Sequence, residues 1–351
     1  MKKGLIALCL ACIVLTASCS RPDYTLVNVS YDPTREFYRE FNQAFIEHYK
    51  TVEPDKSVRV MVTHGGSSAQ ARNVIAGLEA DVVTLAIAYD IDGIAQRTNV
   101  LPADWQTRLP YNSTPYYSTV VFLVRKGNPK NINCWEDLIR PDVEVVVADP
   151  RTSAAARLAH LAGWGYVLQR ELGDLNRLHD PDAAEEVTAA HEKAREYMMA
   201  MYRNVRVLEQ GARGASTAFL QRGRGDVLLD WENQAILSIN EFGAGRTEIV
   251  VPPISILAEP PVALLDGNVD RRGTRRVAEE YLNFLYSDTG QEIIARHFYR
   301  PRNEEVFQRF AHNFVDVKLF TVDDVFGSWH EAQRKHFEPG GIFEQIHMPG
   351  R

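Results

Sequence analysis

The chain has 351 residues, of which 45% are hydrophobic and 24% are charged. This composition is typical of a folded protein, and the length is sufficient for two lobes with separate cores. The formal net charge of −7 argues against a non-specific nucleic-acid binder, because such proteins carry a basic surface. By the same reasoning, the net charge disfavours an anionic ligand.

The N-terminal segment has the features of a bacterial export signal. A basic start at Lys2 and Lys3 precedes an apolar stretch over 4–14, and small residues then lead to Cys19. The apolar stretch is shorter than the roughly 20 residues that a membrane-spanning helix needs. Because the context of Cys19 resembles a lipobox, we predict a signal peptide over 1–18 and lipidation of Cys19. Ordinary cleavage nearby is the alternative, since Thr16 stands where a lipobox prefers leucine.

The first half of the remaining chain alternates predicted strands and helices. Apolar side chains recur at helical spacing over 34–50, whereas the predicted strands are short apolar runs. In chain order the predicted elements are strand Leu26–Ser30, helix Thr34–Lys50, strand Val58–Val62, helix Ser67–Leu78, and strands Asp81–Leu85, Thr119–Val124 and Val143–Val147.

The second half continues this alternation and ends in a largely helical segment. Two proline pairs, at 252–253 and 260–261, bracket Ile254–Glu259, where we expect the chain to pass between lobes. Strands that alternate with helices indicate an α/β protein. The predicted elements are helices Ala154–Glu171 and Asp182–Tyr202, a helix from about Gly214, strand Asp226–Leu229, a helix from Glu232, strand Glu248–Val251, and helices Arg275–Tyr286 and Asp288–Arg296.

Three segments that begin predicted helices contain no acidic residue. They are His64–Leu78, Arg151–Arg170 and Gln210–Gly225, which would carry about seven acids at the average acid content of the chain. The N-terminus of a helix exposes unpaired N–H groups and a partial positive charge, which acids in the first turn normally offset. The missing acids therefore favour helix ends that face an anion. The alternative is ordinary capping, since Ser67 with Gln70 fits a capping box.

Motifs of enzyme chemistry are missing from the sequence. There is no His-Glu-x-x-His pair, no Gly-x-Gly-x-x-Gly, no P-loop and no nucleophile elbow. Cys134 is the one cysteine after Cys19, and we predict a small apolar core residue there rather than a nucleophile. The motifs therefore predict no enzymatic activity, no metal and no cofactor.

Several long motifs are similar to those of the periplasmic sulfate-binding proteins of ABC transporters. The segment Asn28–Glu36, Asn-Val-Ser-Tyr-Asp-Pro-Thr-Arg-Glu, resembles the opening signature of that family. The chain is identified as a member of the family over essentially the whole sequence after the signal. The other similar segments are His64–Ser67, Glu79–Leu85, Ala88–Asp90, Phe122–Pro129, Gly211–Gly214, Gly225–Leu228, Trp231–Asn233, Ser255–Pro260, Tyr299–Arg302 and Leu319–Gly327.

The resemblance implies a two-lobed periplasmic binding protein of type II. Each lobe is then an α/β unit, a sheet flanked by helices, and the ligand lies in the cleft between the lobes. We expect one lobe at 19–110 plus 256–351 and the other at 111–255. In this family sulfate is held by N–H groups and hydroxyls without counter-charges. Carried over position by position, the resemblance implies backbone donors at Asp32, Ser67, Ala154, Ala155 and Ala212, the hydroxyl of Ser153 and the Nε1–H of Trp231.

Three features depart from the family pattern, and one of them is Ser68-Ala69, where the family has Gly-Lys. The family usually has Ser-Gly-Gly where this chain has Ser153-Ala154-Ala155, so two methyl groups narrow the space beside the ligand. Asp230 stands where a small apolar residue is usual. We expect Asp230 either to pair with a nearby cation such as Arg213 or to accept a hydrogen bond from a protonated oxyanion. Arg213 itself is expected to support the site from behind.

The resemblance implies an exported protein that binds sulfate and delivers it to the permease subunits of an ABC importer. Thiosulfate or another tetrahedral oxyanion is the alternative ligand, and an exported hydrolase that uses the same cleft is a distant alternative. We expect a monomer with no cofactor, no metal and no nucleic-acid partner. It should lie in the periplasm or on the extracytoplasmic face of the membrane, anchored through a lipid on Cys19.

Overall fold

The computed structural model describes residues 22–242 and 245–347 of the chain. The predicted signal peptide over 1–18 and the predicted lipidation site Cys19 lie outside the described residues. The strands in this part of the chain are β1 (Tyr24–Tyr31), β2 (Val58–Gly65), β3 (Val82–Thr84), β4 (Tyr116–Arg125), β5 (Val145–Ala148), β6 (Val205–Glu209), β7 (Val227–Trp231), β8 (Thr247–Val250), β9 (Ile254–Ala258), β10 (Val262–Leu264), β11 (Arg300–Pro301) and β12 (Lys318–Phe320).

Helices connect most of these strands and form much of the C-terminal third. None of those in the ranges 22–242 and 245–347 is both long enough and apolar enough to cross a membrane. They are α1 (Arg35–Val52), α2 (Ser67–Ile75), α3 (Ala88–Arg97), α4 (Pro110–Ser113), α5 (Ala154–Leu172), α6 (Ala184–Arg203), α7 (Gly211–Leu220), α8 (Glu232–Phe242), α9 (Asp266–Arg272), α10 (Arg275–Phe284), α11 (Asp288–Arg296), α12 (Glu304–Phe310), α13 (Val322–Phe326), α14 (Trp329–Ala332) and α15 (Ile342–His347).

The first sheet has four strands in the order β10, β3, β1, β2. β1 is parallel to both of its neighbours, and β10 is antiparallel to β3. Helix α1 contacts β2 of this sheet, and its Phe37, Phe41 and Phe45 recur at helical spacing and are each at most 1% exposed. Phe41 and Phe45 pack against Tyr281 and Phe284 of α10. The helix predicted from that spacing is confirmed. The chain turns at Asp32, directly after the carboxyl end of β1.

The second sheet has the strand order β12, β9, β4, β7, β5, β6, with β8 and β11 also paired to β4. β4 is antiparallel to β7, β8 and β9, whereas β5 is parallel to β6 and β7. Helix α5 packs between this sheet and α6 and is buried along nearly all of its length. A helix that is apolar on every side is stable only in such a position. The sheet and α6 therefore fix the position of α5 in this half of the molecule.

The chain passes from the second sheet to the first between β9 and β10, through the prolines at 260–261. The two sheets, each flanked by helices, form the two-lobed α/β fold of a type II periplasmic binding protein, as predicted. β9 and β11 pair with β4, and β12 pairs with β9. The second sheet therefore includes strands beyond residue 255, the predicted end of the second lobe. The lobe boundaries themselves stay a prediction.

Candidate functional site

A small cavity lies where the N-terminal ends of α2, α5 and α7 meet the carboxyl ends of β1 and β7. Its volume is about 50 Å³, which is room for a small ion or a few water molecules. Every ligand and supporting residue predicted from the sequence lines this cavity, although their roles as ligands stay a prediction. These residues are Asp32, Ser67, Ser153, Ala154, Ala155, Ala212, Arg213, Asp230 and Trp231.

Helix α2 begins at Ser67 with no capping side chain and no acid in its first turn. The Ser67 hydroxyl donates instead to Asp90 Oδ2 at 2.5 Å and accepts from the Ala86 N–H at 3.0 Å. Gln70 Nε2 donates to the backbone oxygen of Ser30 at 3.0 Å. The capping box considered for Ser67 and Gln70 is therefore wrong, because both side chains bond to other segments. The first-turn N–H groups of α2 lack an acceptor within the helix and face the cavity end.

Helix α5 begins after Ser153, whose side chain accepts a long hydrogen bond from the Ala156 N–H at 3.4 Å. The N–H groups of Ala154 and Ala155 lie in the first turn, where the helix supplies no acceptor. No acid lies in that turn. Because the Ser153 oxygen acts only as an acceptor in this cap, its O–H remains available as a donor.

Helix α7 begins at Gly211, before the predicted start near Gly214, which is therefore wrong. Gly211 has a φ of +71°, a left-handed conformation that glycine adopts readily and other residues rarely adopt. This conformation turns the chain from β6 directly into the helix and places the Ala212 N–H in the first turn. That turn has no acid and no capping side chain.

The turn after β1 supplies a further backbone N–H group, unpaired within that turn. Asp32 is the first residue of a 3-10 turn over Asp32–Thr34, so its N–H has no acceptor within the turn. Its carboxylate contacts Arg35 Nη2 at 3.1 Å, and that guanidinium offsets its charge. Burial lowers the pKa of nearby His64 to about 4, so that His64 adds no positive charge at neutral pH. The charge of the Asp32 side chain is therefore balanced by Arg35, next to the backbone N–H of Asp32 at the cavity.

Trp231 is the last residue of β7, and its side chain is 1% exposed. Its Nε1 atom is buried, and no residue in the described part of the chain accepts its hydrogen. The ring packs edge-on against Tyr31 with 5.8 Å between centroids. The next residue, Glu232, forms a buried ion pair with Arg300 through contacts of 2.7 and 2.8 Å. The indole is thus held in place with an unused donor, a state that costs about 1–3 kcal/mol unless a ligand accepts the bond.

The two supporting residues do not contact one another. Asp230 is buried, and its carboxylate accepts from Ser216 Oγ and from the Trp231 N–H, each at 2.8 Å. Arg213 is exposed at the edge of the cavity, and its nearest carboxylate is Glu36, at 3.8 Å. The predicted pairing of Asp230 with Arg213 is therefore wrong, and Arg213 lies at the rim rather than behind the site. Burial raises the pKa of Asp230 to about 6.

The two halves of the molecule approach each other closely around the cavity. A Cβ atom on Gly66, just before α2, would lie 3.4 Å from the backbone oxygen of Thr152, just before α5. Gln234 Nε2 donates across the cleft to the backbone oxygen of Pro33 at 3.3 Å. The cavity therefore lies between walls that contact one another.

Sequence reasoning missed Asp90 as a supporting residue. Its two carboxylate oxygens accept from the hydroxyls of Ser67 and Ser68, at 2.5 and 2.7 Å, and fix the start of α2. Asp90 lies on α3, 22 residues from Ser68 along the chain. No local pattern indicates this contact, because α2 and α3 meet only in the tertiary structure.

The chemistry available at the cavity is hydrogen-bond donation. Within residues 22–242 and 245–347 no group of three His, Cys, Asp or Glu side chains is arranged to hold a metal ion. Cys134 lies outside the cavity, and burial raises the pKa of its thiol to about 11, so that thiolate is scarce at neutral pH. Helix N-termini and oriented N–H groups of this kind suit a small anion.

Comparisons with known proteins agree with this geometry. A sequence model of the family described as bacterial extracellular solute-binding protein matches residues 26–300. The sulfate-binding protein of Escherichia coli K12 is 48% identical over 334 residues, which cover 95% of this chain and 96% of that protein. The chain belongs to the family of sulfate- and thiosulfate-binding proteins. The resemblance inferred from the sequence motifs is thus confirmed.

Two further relatives place the chain within this sulfate- and thiosulfate-binding family. The thiosulfate-binding protein of Pseudomonas aeruginosa is 44% identical over 349 residues, or 99% of this chain and 100% of that protein. The solved structure of the sulfate-binding protein SubI from Mycobacterium tuberculosis matches with a TM-score of 0.72 at 27% identity, and covers 90% of this chain and 100% of that one. The family therefore includes members named for each of two sulfur oxyanions.

Proposed function

We propose that this protein binds sulfate in the cavity between its lobes and delivers it to an ABC importer. The observation that carries the proposal is the buried Nε1–H of Trp231, which lines the cavity and lacks an acceptor among the described residues. A sulfate oxygen would supply that acceptor. The sulfate-binding protein of Escherichia coli, at 48% identity, supports the same ligand.

The proposed ligand set consists of donors without formal charge. A hydrogen bond to a charged group contributes roughly 1.5–3 kcal/mol. After the costs of desolvation and closure, a set of this size is sufficient for the roughly −8 kcal/mol of a micromolar complex. The set comprises the N–H groups of Asp32, Ser67, Ala154, Ala155 and Ala212, the hydroxyl of Ser153 and the indole N–H of Trp231.

The balance of donors and acceptors favours sulfate over hydrogen phosphate. Sulfate is fully ionised at neutral pH and is satisfied by donors alone, whereas hydrogen phosphate brings a proton that needs an acceptor. Asp230 lines the cavity and is the candidate acceptor, but its charge would oppose any dianion. Ala154 and Ala155 line the cavity, and its small volume of about 50 Å³ favours sulfate over the larger thiosulfate.

We infer that the protein acts outside the cytoplasmic membrane as a monomeric binding protein and not as an enzyme. The export signal over 1–18 and the lipobox-like Cys19 support a lipid-anchored form. The relatives are solute-binding proteins, which supports delivery of the ligand rather than its chemical conversion. Closure of lobes over a ligand would present a new surface to the permease subunits.

Isothermal titration of the purified protein with sulfate, thiosulfate and phosphate tests the proposal. We expect a single sulfate site with a micromolar or lower Kd, and weaker binding of thiosulfate and phosphate. Incubation with sulfate and phosphate esters should give no hydrolysis. Tighter binding of thiosulfate than of sulfate would mean that thiosulfate is the main ligand. Ester turnover, or no binding of any of the three anions, would contradict the proposed function.

A further inference from the structure

A second and larger cavity lies one helical turn away from the proposed sulfate site. It has a volume of about 590 Å³ and is bordered by α2, α3, α5 and the C-terminal segment that includes α14. Four arginines line it, and none of them forms an ion pair with a carboxylate in the described part of the chain. They are Arg72 on α2, Arg97 on α3, Arg157 on α5 and Arg334 after α14.

Arg157 distinguishes this cavity from an ordinary basic surface. Its side chain is 6% exposed, and Nε donates to the backbone oxygen of Pro150 at 2.8 Å. Its Nη1 is buried and has no acceptor among the described residues. Arginine stays protonated in proteins, so this guanidinium is a buried charge whose donors are only partly used. A buried charge of this kind is costly unless a partner supplies opposite charge and hydrogen-bond acceptors.

Three carboxylates also line the cavity, but in the described part of the chain none of them accepts a hydrogen bond from the four arginines. Asp90 is buried at this cavity, where its charge acts on Arg157 and Arg72, but its two oxygens accept from the hydroxyls of Ser67 and Ser68 and form no ion pair with either arginine in the described part of the chain. Glu331 and Glu338 are exposed side chains of the C-terminal segment. The four guanidinium groups, three of them exposed at the rim and one at the buried end, therefore exceed the three carboxylates.

We propose that this cavity is a second anion site, which binds a small anion with two or more carboxylate or phosphate groups. The planar fork of arginine matches the two oxygens of such groups. One group would reach the buried Nη1 of Arg157, and another would lie between Arg97 and Arg334 at the rim. The size of the cavity favours an anion larger than sulfate. Because α2 and α5 border both cavities, the second anion would bridge the helices that also begin at the sulfate site.

Titration of the sulfate-saturated full chain with citrate, and separately with pyrophosphate, tests this second site. We expect one of these probes to bind with one-to-one stoichiometry while excess sulfate is present. Arg157→Gln, Arg97→Gln and Arg334→Gln should each weaken that binding about tenfold or more, as expected for a lost charged hydrogen bond. Arg59→Gln, at an exposed arginine on β2 outside the cavity, should leave it unchanged.

The comparison of variants separates this inference from the proposed sulfate function. Trp231→Phe should weaken sulfate binding and leave the binding of the second probe intact. If Arg157→Gln does not fold, the two exposed variants Arg97→Gln and Arg334→Gln still decide the question. No binding of either probe at millimolar concentration, competition with sulfate for one site, or binding that none of the three substitutions weakens would overturn the second site.

Discussion

Asp230 places a carboxylate in the lining of a cavity that otherwise suits an anion. Both of its oxygens are engaged, by Ser216 Oγ and by the Trp231 N–H, so the side chain also fixes the end of β7 against α7. Burial raises its pKa to about 6. The two hydrogen bonds of Asp230 stabilise the fold, whereas its negative charge opposes the binding of an anion. The pH determines whether that charge is present.

Sulfate affinity should therefore fall as the pH rises from 6 to 8. Below its pKa Asp230 is neutral, and above it the carboxylate repels the dianion, so that binding of sulfate takes up a proton. The change is at most about tenfold per pH unit. Asp230→Asn keeps the shape without the charge, and it should strengthen sulfate binding at pH 8 and remove the pH dependence. Titration calorimetry at pH 6, 7 and 8 measures both effects.

Asp182→Asn, at an exposed acid outside the cavity, is the matched control and should bind sulfate as the wild type does. If Asp230 also accepts the proton of hydrogen phosphate, Asp230→Asn will weaken competition by phosphate while it strengthens sulfate binding. An Asp230→Asn variant with unchanged sulfate affinity at every pH, and no effect on phosphate, would show that the carboxylate does not sense the ligand.

At the scale of elements, a buried histidine pair joins α5 to the C-terminal segment. His160 Nε2 lies 3.1 Å from His336 Nδ1, and His160 Nδ1 lies 3.2 Å from the hydroxyl of Tyr202 on α6. Both histidines are at most 1% exposed. Burial lowers the pKa of His160 to about 3 and lowers that of His336 as well. The folded protein therefore keeps both rings neutral in mild acid.

This pair should make the fold sensitive to acid. Above pH 6.5 both histidines are neutral in the folded and the unfolded chain, so they leave the free energy of unfolding independent of pH. Below pH 6.5 the unfolded chain binds protons that the folded chain excludes. The free energy of unfolding then falls by about 1.4 kcal/mol per pH unit for each histidine, down to the folded pKa.

Urea unfolding at pH 7, 6, 5 and 4 measures this loss. His160→Gln should reduce the slope between pH 6 and 4 by about 1.4 kcal/mol per pH unit, even though it lowers stability at pH 7. His312→Gln, at an exposed histidine, should retain the wild-type slope. Equal slopes in His160→Gln and the wild type would mean that the buried pair does not titrate as inferred.

The helix starts show how far the sequence alone predicts this site. The missing acids indicated three helix ends with unused N–H groups, and α2, α5 and α7 all meet at the cavity. Helix α7 begins at Gly211, three residues before the predicted start, because the left-handed Gly211 turns the chain directly into the helix. Local sequence pattern predicts the presence of a helix more reliably than it predicts the first residue of that helix. The first residue depends on the turn that precedes it.

Local sequence pattern does not predict contacts between segments that are distant in the chain. The bond from Ser67 to Asp90, the ion pair of Glu232 with Arg300 and the contact of Arg213 with Glu36 each join different elements. Only the motif around Trp231 predicts it as a ligand. An isolated tryptophan at the end of a strand is otherwise typical of a core residue, and only the tertiary structure places its N–H at the cavity.

At the scale of the whole molecule, the net charge of −7 does not determine the ligand. Exposed charges are screened over about 8 Å in physiological salt, whereas donors at the cavity act at hydrogen-bond distance. The global charge therefore bears on long-range attraction, and the local placement of N–H groups bears on binding. The same two-lobed fold carries different ligands in related proteins, so the cavity rather than the fold must establish what is bound.

The most direct test of the account compares Trp231→Phe with Trp164→Phe. Both tryptophans are 1% exposed, but the Trp164 Nε1–H donates to His191 at 3.0 Å, whereas that of Trp231 has no acceptor among the described residues. Sulfate titration should show about 10- to 100-fold weaker binding for Trp231→Phe, the loss of one charged hydrogen bond, and no change for Trp164→Phe. Both variants lose buried ring atoms, but thermal unfolding without sulfate should show the larger loss of stability in Trp164→Phe, because only that variant also loses a hydrogen bond. Unchanged sulfate affinity in a folded Trp231→Phe variant would contradict the account.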